Sequence, residues 1–141
     1  MNLKGTHSDT GPGSVHRGTC MLSILFVLSC QLNPLAGGEM TGPERSVDTF
    51  DFASQFALLR LETRPDNPYA VNLRVTVIEG ELYVDSATGR RWGKFLADDP
   101  NVRIRLGKTI YPARAEQILD KDIVERFPQG RHIYRMEPRS L

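Results

Sequence analysis

From residue 69 onward, apolar and polar positions alternate: Tyr69, Val71, Leu73, Val75 and Val77 are separated by Ala70, Asn72, Arg74 and Thr76. A period of two carried by β-branched side chains predicts a strand with one buried face. Glu79-Gly80 then makes a tight connection into Glu81-Leu82-Tyr83-Val84-Asp85, so residues 69–85 are expected to form a β-hairpin. Upstream, residues 56–63 read FALLRLET, a strand-like run that stops at Arg64-Pro65-Asp66-Asn67-Pro68, where prolines and Asx residues signal a turn. The period changes at Thr88, expected as an N-cap, after which Trp92, Phe95 and Leu96 recur at helical spacing until Pro100. Val102, Ile104 and Leu106 alternate with Arg103 and Arg105, and Gly107-Lys108 turns the chain into Thr109–Gln117, a second hairpin. Asp120 is placed to cap a short helix with Ile123, Val124 and Phe127, which Pro128 and Gly130 end before a last strand at 131–136. Antiparallel hairpins in this number, with helices set to the side, give a mainly β (α+β) fold class and a small barrel.

The first 46 residues follow no such period. Residues 1–20 are rich in Gly, Ser and Thr, with Asp9 among them, a composition that buries too little apolar surface to order itself. Met21 to Cys30 is an apolar run, shorter than the roughly 20 residues that span a bilayer and close to the about 7–15 of a signal-peptide core. A basic stretch with Lys4 and Arg17 precedes it, unless the chain starts at Met21. Val27-Leu28-Ser29-Cys30 resembles a bacterial lipobox, which would lipidate Cys30 and hold the protein to a membrane of the cell envelope. Two other readings stay open: an ordinary cleaved signal, giving a periplasmic or secreted product, or a buried strand opening the fold. Pro34, Gly37, Gly38, Gly42 and Pro43 make 31–46 read as a flexible tether. The organisation expected is therefore a leader over 1–30, a tether over 31–46 and one domain over 47–141.

Composition narrows the chemistry. With 18 Lys and Arg against 17 Asp and Glu the net charge is +1, which gives no reason to expect a nucleic-acid binder working by phosphate neutralisation. Both cysteines, Cys20 and Cys30, precede the expected domain, and of three histidines only His132 falls inside it. The domain thus has no thiol nucleophile and no histidine cluster, so no metal is expected. His132 has no assignable carboxylate or nucleophile partner and is read as structural.

Several segments together look familiar: Tyr83-Val84-Asp85-Ser86-Ala87 at a strand end, the basic helix from Arg90 through Trp92, Lys94 and Leu96 to Asp99-Pro100-Asn101-Val102, then Arg103–Gly107 and Tyr111-Pro112-Ala113-Arg114-Ala115. They resemble the FMN-binding split-barrel superfamily, and within it the deazaflavin-dependent nitroreductase and quinone reductase family. The resemblance covers about 56–118. It implies a small antiparallel split β-barrel, monomeric or homodimeric, holding FMN or a deazaflavin, with a small-molecule acceptor such as a quinone or nitro compound stacking on the ring. Ser86 and Ala87 would then lie beside the cofactor, and Arg90, Arg91, Trp92 and Lys94 on the helix that follows. A helix start offers free N–H groups and a favourable dipole to a phosphate, and arginine adds a two-pronged donor. Where the family carries Gly-Arg-Lys-Ser-Gly, this chain has Thr63-Arg64-Pro65-Asp66-Asn67, so Arg64 alone keeps the matching charge.

Each of these residues also has a plain structural reading. Arg90, Arg91 and Lys94 fit the solvated side of a surface helix. Trp92 has the spacing of a core residue beside Phe95 and Leu96. Arg103 and Arg105 are expected to keep the outer side of a strand wet and discourage edge pairing. Hydride transfer needs no protein nucleophile, because the cofactor carries the chemistry. The function expected is an exported or lipid-anchored oxidoreductase-like domain; the alternative is a cofactor-free binding or assembly module of the envelope.

Overall fold

The computed structural model describes residues 36–141. The expected lipidation at Cys30 and the apolar run 21–30 lie outside the described residues. A 3-10 turn at Asp51–Gln55 leads into β1 (Leu58–Thr63), β2 (Tyr69–Arg74), β3 (Thr76–Ile78) and β4 (Glu81–Ala87). Helix α1 (Arg91–Asp98), β5 (Asn101–Leu106), β6 (Thr109–Ile118), a one-turn α2 (Lys121–Val124) and β7 (Arg131–Pro138) follow. The strands form one seven-stranded sheet in the order β2-β1-β5-β6-β7-β4-β3, every pairing antiparallel.

Leu59, Leu61, Leu82, Val84, Val102, Ile104, Leu106, Tyr134 and Met136 alternate into one core, which Trp92 and Leu96 of α1 join. This is the period of two read from the sequence, now closed on itself. The two strands at the ends of the sheet, β2 and β3, are consecutive in the chain and separated only by Val75. One bent strand therefore supplies both edges, and the sheet curls into a barrel. Tyr69, Leu73, Val75 and Val77 keep one face toward the core through the bend, while the pairing partner changes from β1 to β4.

That bend revises the expected hairpin. Only Thr76–Ile78 pairs with β4, through Thr76↔Tyr83 to Ile78↔Glu81, whereas 69–74 folds back on β1 across the Arg64–Pro68 turn. The tight connection itself is as expected: Glu79 and Gly80 both adopt positive φ, 53° and 84°, the geometry of a two-residue hairpin turn. Asp120 caps α2, its side chain accepting from the Asp122 N–H at 2.9 Å.

The outer side of the sheet is covered twice. Ile118, Ile123, Val124 and Phe127 pack over Ile78, Tyr83 and Ile133. Over β1, β2 and β6 lies the segment read as a tether. From residue 36 it is docked: the Gly37 N–H donates to Ala70 O at 2.7 Å, the Ile110 N–H to Pro43 O at 2.9 Å and the Arg45 N–H to Ile110 O at 2.9 Å. Met40, 2% exposed, fills the space above Ala70 and Ile110. Gly and Pro had suggested flexibility, but their turns let this arm follow the sheet, and Met40 anchors it by apolar burial.

Arg103 also differs from expectation. Its strand, β5, lies between β1 and β6 rather than at an edge. Its guanidinium donates to Glu62, to Glu44 Oε1 at 2.6 Å and to Met40 O at 3.0 Å. The buried Glu62 also accepts from the Met40 N–H. These polar groups satisfy one another beneath the arm, which is what allows a carboxylate to be buried there.

Candidate functional site

Strand β4 pairs with β7 from Leu82 to Ala87, but with β3 only at Glu81–Tyr83. Beyond that point β2 has left for β1, so the end of β4 borders a gap, and the start of α1 is set beside it. The gap is a cleft of about 760 Å³. Tyr69, Val71 and Leu73 line it from β2, Asp85 and Ala87 from β4, Arg90, Arg91 and Trp92 from the start of α1, and Arg131 from β7; Ala36 of the arm completes it.

The entry to α1 is set by the chain itself. Gly89 has φ 83°, a left-handed conformation that suits glycine, and the Arg90 N–H returns to Ala87 O at 3.2 Å. Arg90 occupies the N-cap position without a side-chain cap, and the first turn of α1 carries no acidic residue. Thr88, expected as the cap, instead donates its hydroxyl to Gly130 O at 3.3 Å. The helix start thus keeps its backbone donors and positive dipole end, with Arg90 and Arg91 adding charge.

Four of the residues expected in a site therefore meet in this cleft: Ala87, Arg90, Arg91 and Trp92. Trp92 is only 6% exposed and its ring lies 6.3 Å from Tyr134, so it serves as core and wall together. Lys94 and Ser86 lie elsewhere, in a smaller hollow of about 350 Å³ with Arg90, Gln117, His132 and Tyr134. Ser86 is buried under α1 at Gly93, where a Cβ would come within 2.5 Å of its Oγ. His132 is exposed, with Nδ1 3.4 Å from Gln117 Nε2. The Tyr134 hydroxyl lies 3.5 Å from Gly93 O, and burial raises its pKa.

Arg64 lines neither hollow. Its guanidinium carbon sits 3.5 Å from the centre of the Phe95 ring, and Phe95 in turn meets Tyr69 edge-on at 5.6 Å. The matching charge in the first turn is thus taken up by a cation–π contact.

Sequence reasoning missed Asp85 and Arg131 as a pair. Arg131 Nη1 lies 3.1 Å from Asp85 Oδ2, because the register of β4 with β7 sets Ala87 against Arg131. A pairing across more than forty residues leaves no local signal. The donor set of the cleft, three arginines around one carboxylate that is already paired, suits a ligand with an anionic end. Its volume falls within the roughly 300–1,000 Å³ of small-molecule sites.

No protein-family model matches the chain, and no curated protein matches it. Solved structures do. A protein of Listeria innocua provisionally named as a pyridoxamine 5'-phosphate oxidase superposes with a TM-score of 0.55 at 16% identity, over 62% of this chain and 88% of that one. A conserved hypothetical protein of Mycobacterium tuberculosis gives 0.55 at 18% identity, over 68% and 86%. A nimC/nimA family protein of Clostridium acetobutylicum gives 0.51 at 17%, over 62% and 78%. At such identities the likeness shows the fold. The domain is a split barrel.

Proposed function

We propose that the cleft binds a flavin-type cofactor, FMN or a deazaflavin, and that the domain works as an oxidoreductase on a small acceptor. One observation carries the reading: Arg90 and Arg91 stand at the uncapped start of α1, inside a cleft at the split of the barrel. These two arginines and the first N–H groups of α1 hold the phosphate, while Tyr69 and Trp92 wall the apolar part. The bound cofactor would supply hydride or electron transfer to a quinone or nitro acceptor. Support also comes from the Listeria innocua neighbour named for a pyridoxamine 5'-phosphate oxidase and from the likeness of segments 83–115 to deazaflavin-dependent reductases. Lipidation at Cys30 completes the proposal, resting on the lipobox-like Val27-Leu28-Ser29-Cys30.

The test is a fluorescence titration of the full chain with FMN and, separately, a deazaflavin, beside an Arg90→Gln plus Arg91→Gln variant. Micromolar binding that the variant weakens at least about tenfold is expected, from charge-assisted hydrogen bonds of about 1.5–3 kcal/mol each. No binding of either cofactor up to millimolar concentration overturns the reading. One observation favours a cofactor-free envelope module instead: Arg64, the matching charge of the first turn, is stacked on Phe95 and does not line the cleft. In that case a colourless protein that gains no absorbance on reconstitution is the expected result.

A further inference from the structure

The cleft does not stand alone. A second hollow of about 530 Å³ shares Asn72, Leu73, Asp85 and Arg131 with it, and adds Arg74 from the end of β2 and Arg126 from the turn before β7. The combined walls carry five arginines, Arg74, Arg90, Arg91, Arg126 and Arg131, against one carboxylate, Asp85.

Two arginines elsewhere on this barrel are neutralised by several carboxylates each. Arg103 meets Glu62 and Glu44, and Arg135 meets Glu81, Glu116 and Glu137. Along the groove carboxylate partners are scarce. Asp85 is committed to Arg131 at 3.1 Å, and Arg126 reaches only the exposed Glu79 at 3.9 Å, a contact worth little in water. Among the described residues Arg74, Arg90 and Arg91 form no ion pair. Like charges collected along a concave surface raise the local potential and favour an anion over the solvated state. A single phosphate at Arg90 and Arg91 would leave Arg74 and Arg126 unanswered.

We infer that the groove binds an extended anion: its first anionic group is held by Arg90 and Arg91, and a further phosphate or carboxylate is held by Arg74 and Arg126 beyond the Arg131–Asp85 pair. The inference rests on the cofactor reading for the ring, and extends it by assigning the second hollow to an anionic chain longer than one phosphate.

The test uses probes without a ring, so that it stands apart from flavin binding. Phosphate, pyrophosphate and tripolyphosphate are titrated calorimetrically into the full chain, into an Arg74→Gln plus Arg126→Gln variant, and into a control losing the same charge at the exposed Arg45 and Arg114. The expected result is that tripolyphosphate binds at least about tenfold tighter than phosphate. The Arg74/Arg126 variant loses most of that gain with phosphate affinity unchanged, and the control keeps it. Equal affinity for phosphate and tripolyphosphate overturns the inference, as does a gain that both variants lose alike. If neither FMN nor a deazaflavin binds while the chain-length effect persists, the flavin reading fails and the extended-anion groove stands.

Discussion

Arg103 closes on Glu62 through two parallel hydrogen bonds, Nε to Oε1 at 2.6 Å and Nη2 to Oε2 at 2.9 Å. Glu62 is 2% exposed, so the pair joins β5 to β1 under cover of the arm. The hydrogen bond from Arg103 to Glu62, chief among its contacts, raises the guanidinium pKa above its ordinary value. Removing one partner leaves the other buried without its counter-charge. Glu62→Gln or Arg103→Gln should each cost about 3 kcal/mol in denaturant unfolding. Each should also expose the arm at 36–46 to limited proteolysis. Glu62→Leu with Arg103→Met should cost less than the worse single change, because no charge is then stranded.

Alkaline pH should reveal Tyr83. Burial, and then its 2.8 Å hydrogen bond to Glu81, raise the phenol from 10.0 to about 12. The folded state therefore holds the proton more tightly than the unfolded state. This stabilisation is complete below pH 10 and is lost as pH rises toward about 12. Chemical unfolding midpoints should fall across that window in the native chain and fall less in Tyr83→Phe.

Gly93→Ala sets two effects against each other. Alanine in a helix is worth about 1 kcal/mol over glycine, but its Cβ would lie 2.5 Å from Ser86 Oγ and 3.2 Å from Ser86 Cβ. Ser86 is 1% exposed, and the pairing of its strand with β7 fixes its Cβ at the 3.2 Å contact. The clash should win, with a net loss of about 1–2 kcal/mol. Adding Ser86→Ala removes the closer contact and should restore at least half of the melting temperature lost in Gly93→Ala.

Arg64 separates the family pattern from this chain's geometry. Arg64→Ala should cost about 0.5–1 kcal/mol through the lost contact with Phe95. It should leave FMN affinity within about twofold in the same titration that the Arg90/Arg91 variant fails.

The strands were legible because burial imposes a period of two, and Leu59, Val71, Leu82, Val102 and Ile104 sit where that period puts them. Helix α1 was legible from the spacing of Trp92 and Leu96, both buried. Partner choice was not legible: nothing near residue 75 says that β2 leaves for β1 while β3 stays with β4. The docking of residues 36–46 was hidden for a similar reason, since one methionine among Gly and Pro carries no period. In the cleft, Arg90 and Arg91 could be read from one short segment. Asp85 and Arg131 could not, because only the register of two distant strands makes them neighbours.

The bend at Val75 has a consequence for how the sheet keeps its alignment. Because β2 is registered on β1 and β3 on β4, the single residue between them counts the offset between the two edges of the sheet. Deleting it would force one half to slip by one position, and a slip of one position turns every side chain of that half to the opposite face. Leu73 and Val77 would then trade places with Asn72, Arg74 or Thr76. The inside and outside of this barrel are thus tied to the length of its chain at one point.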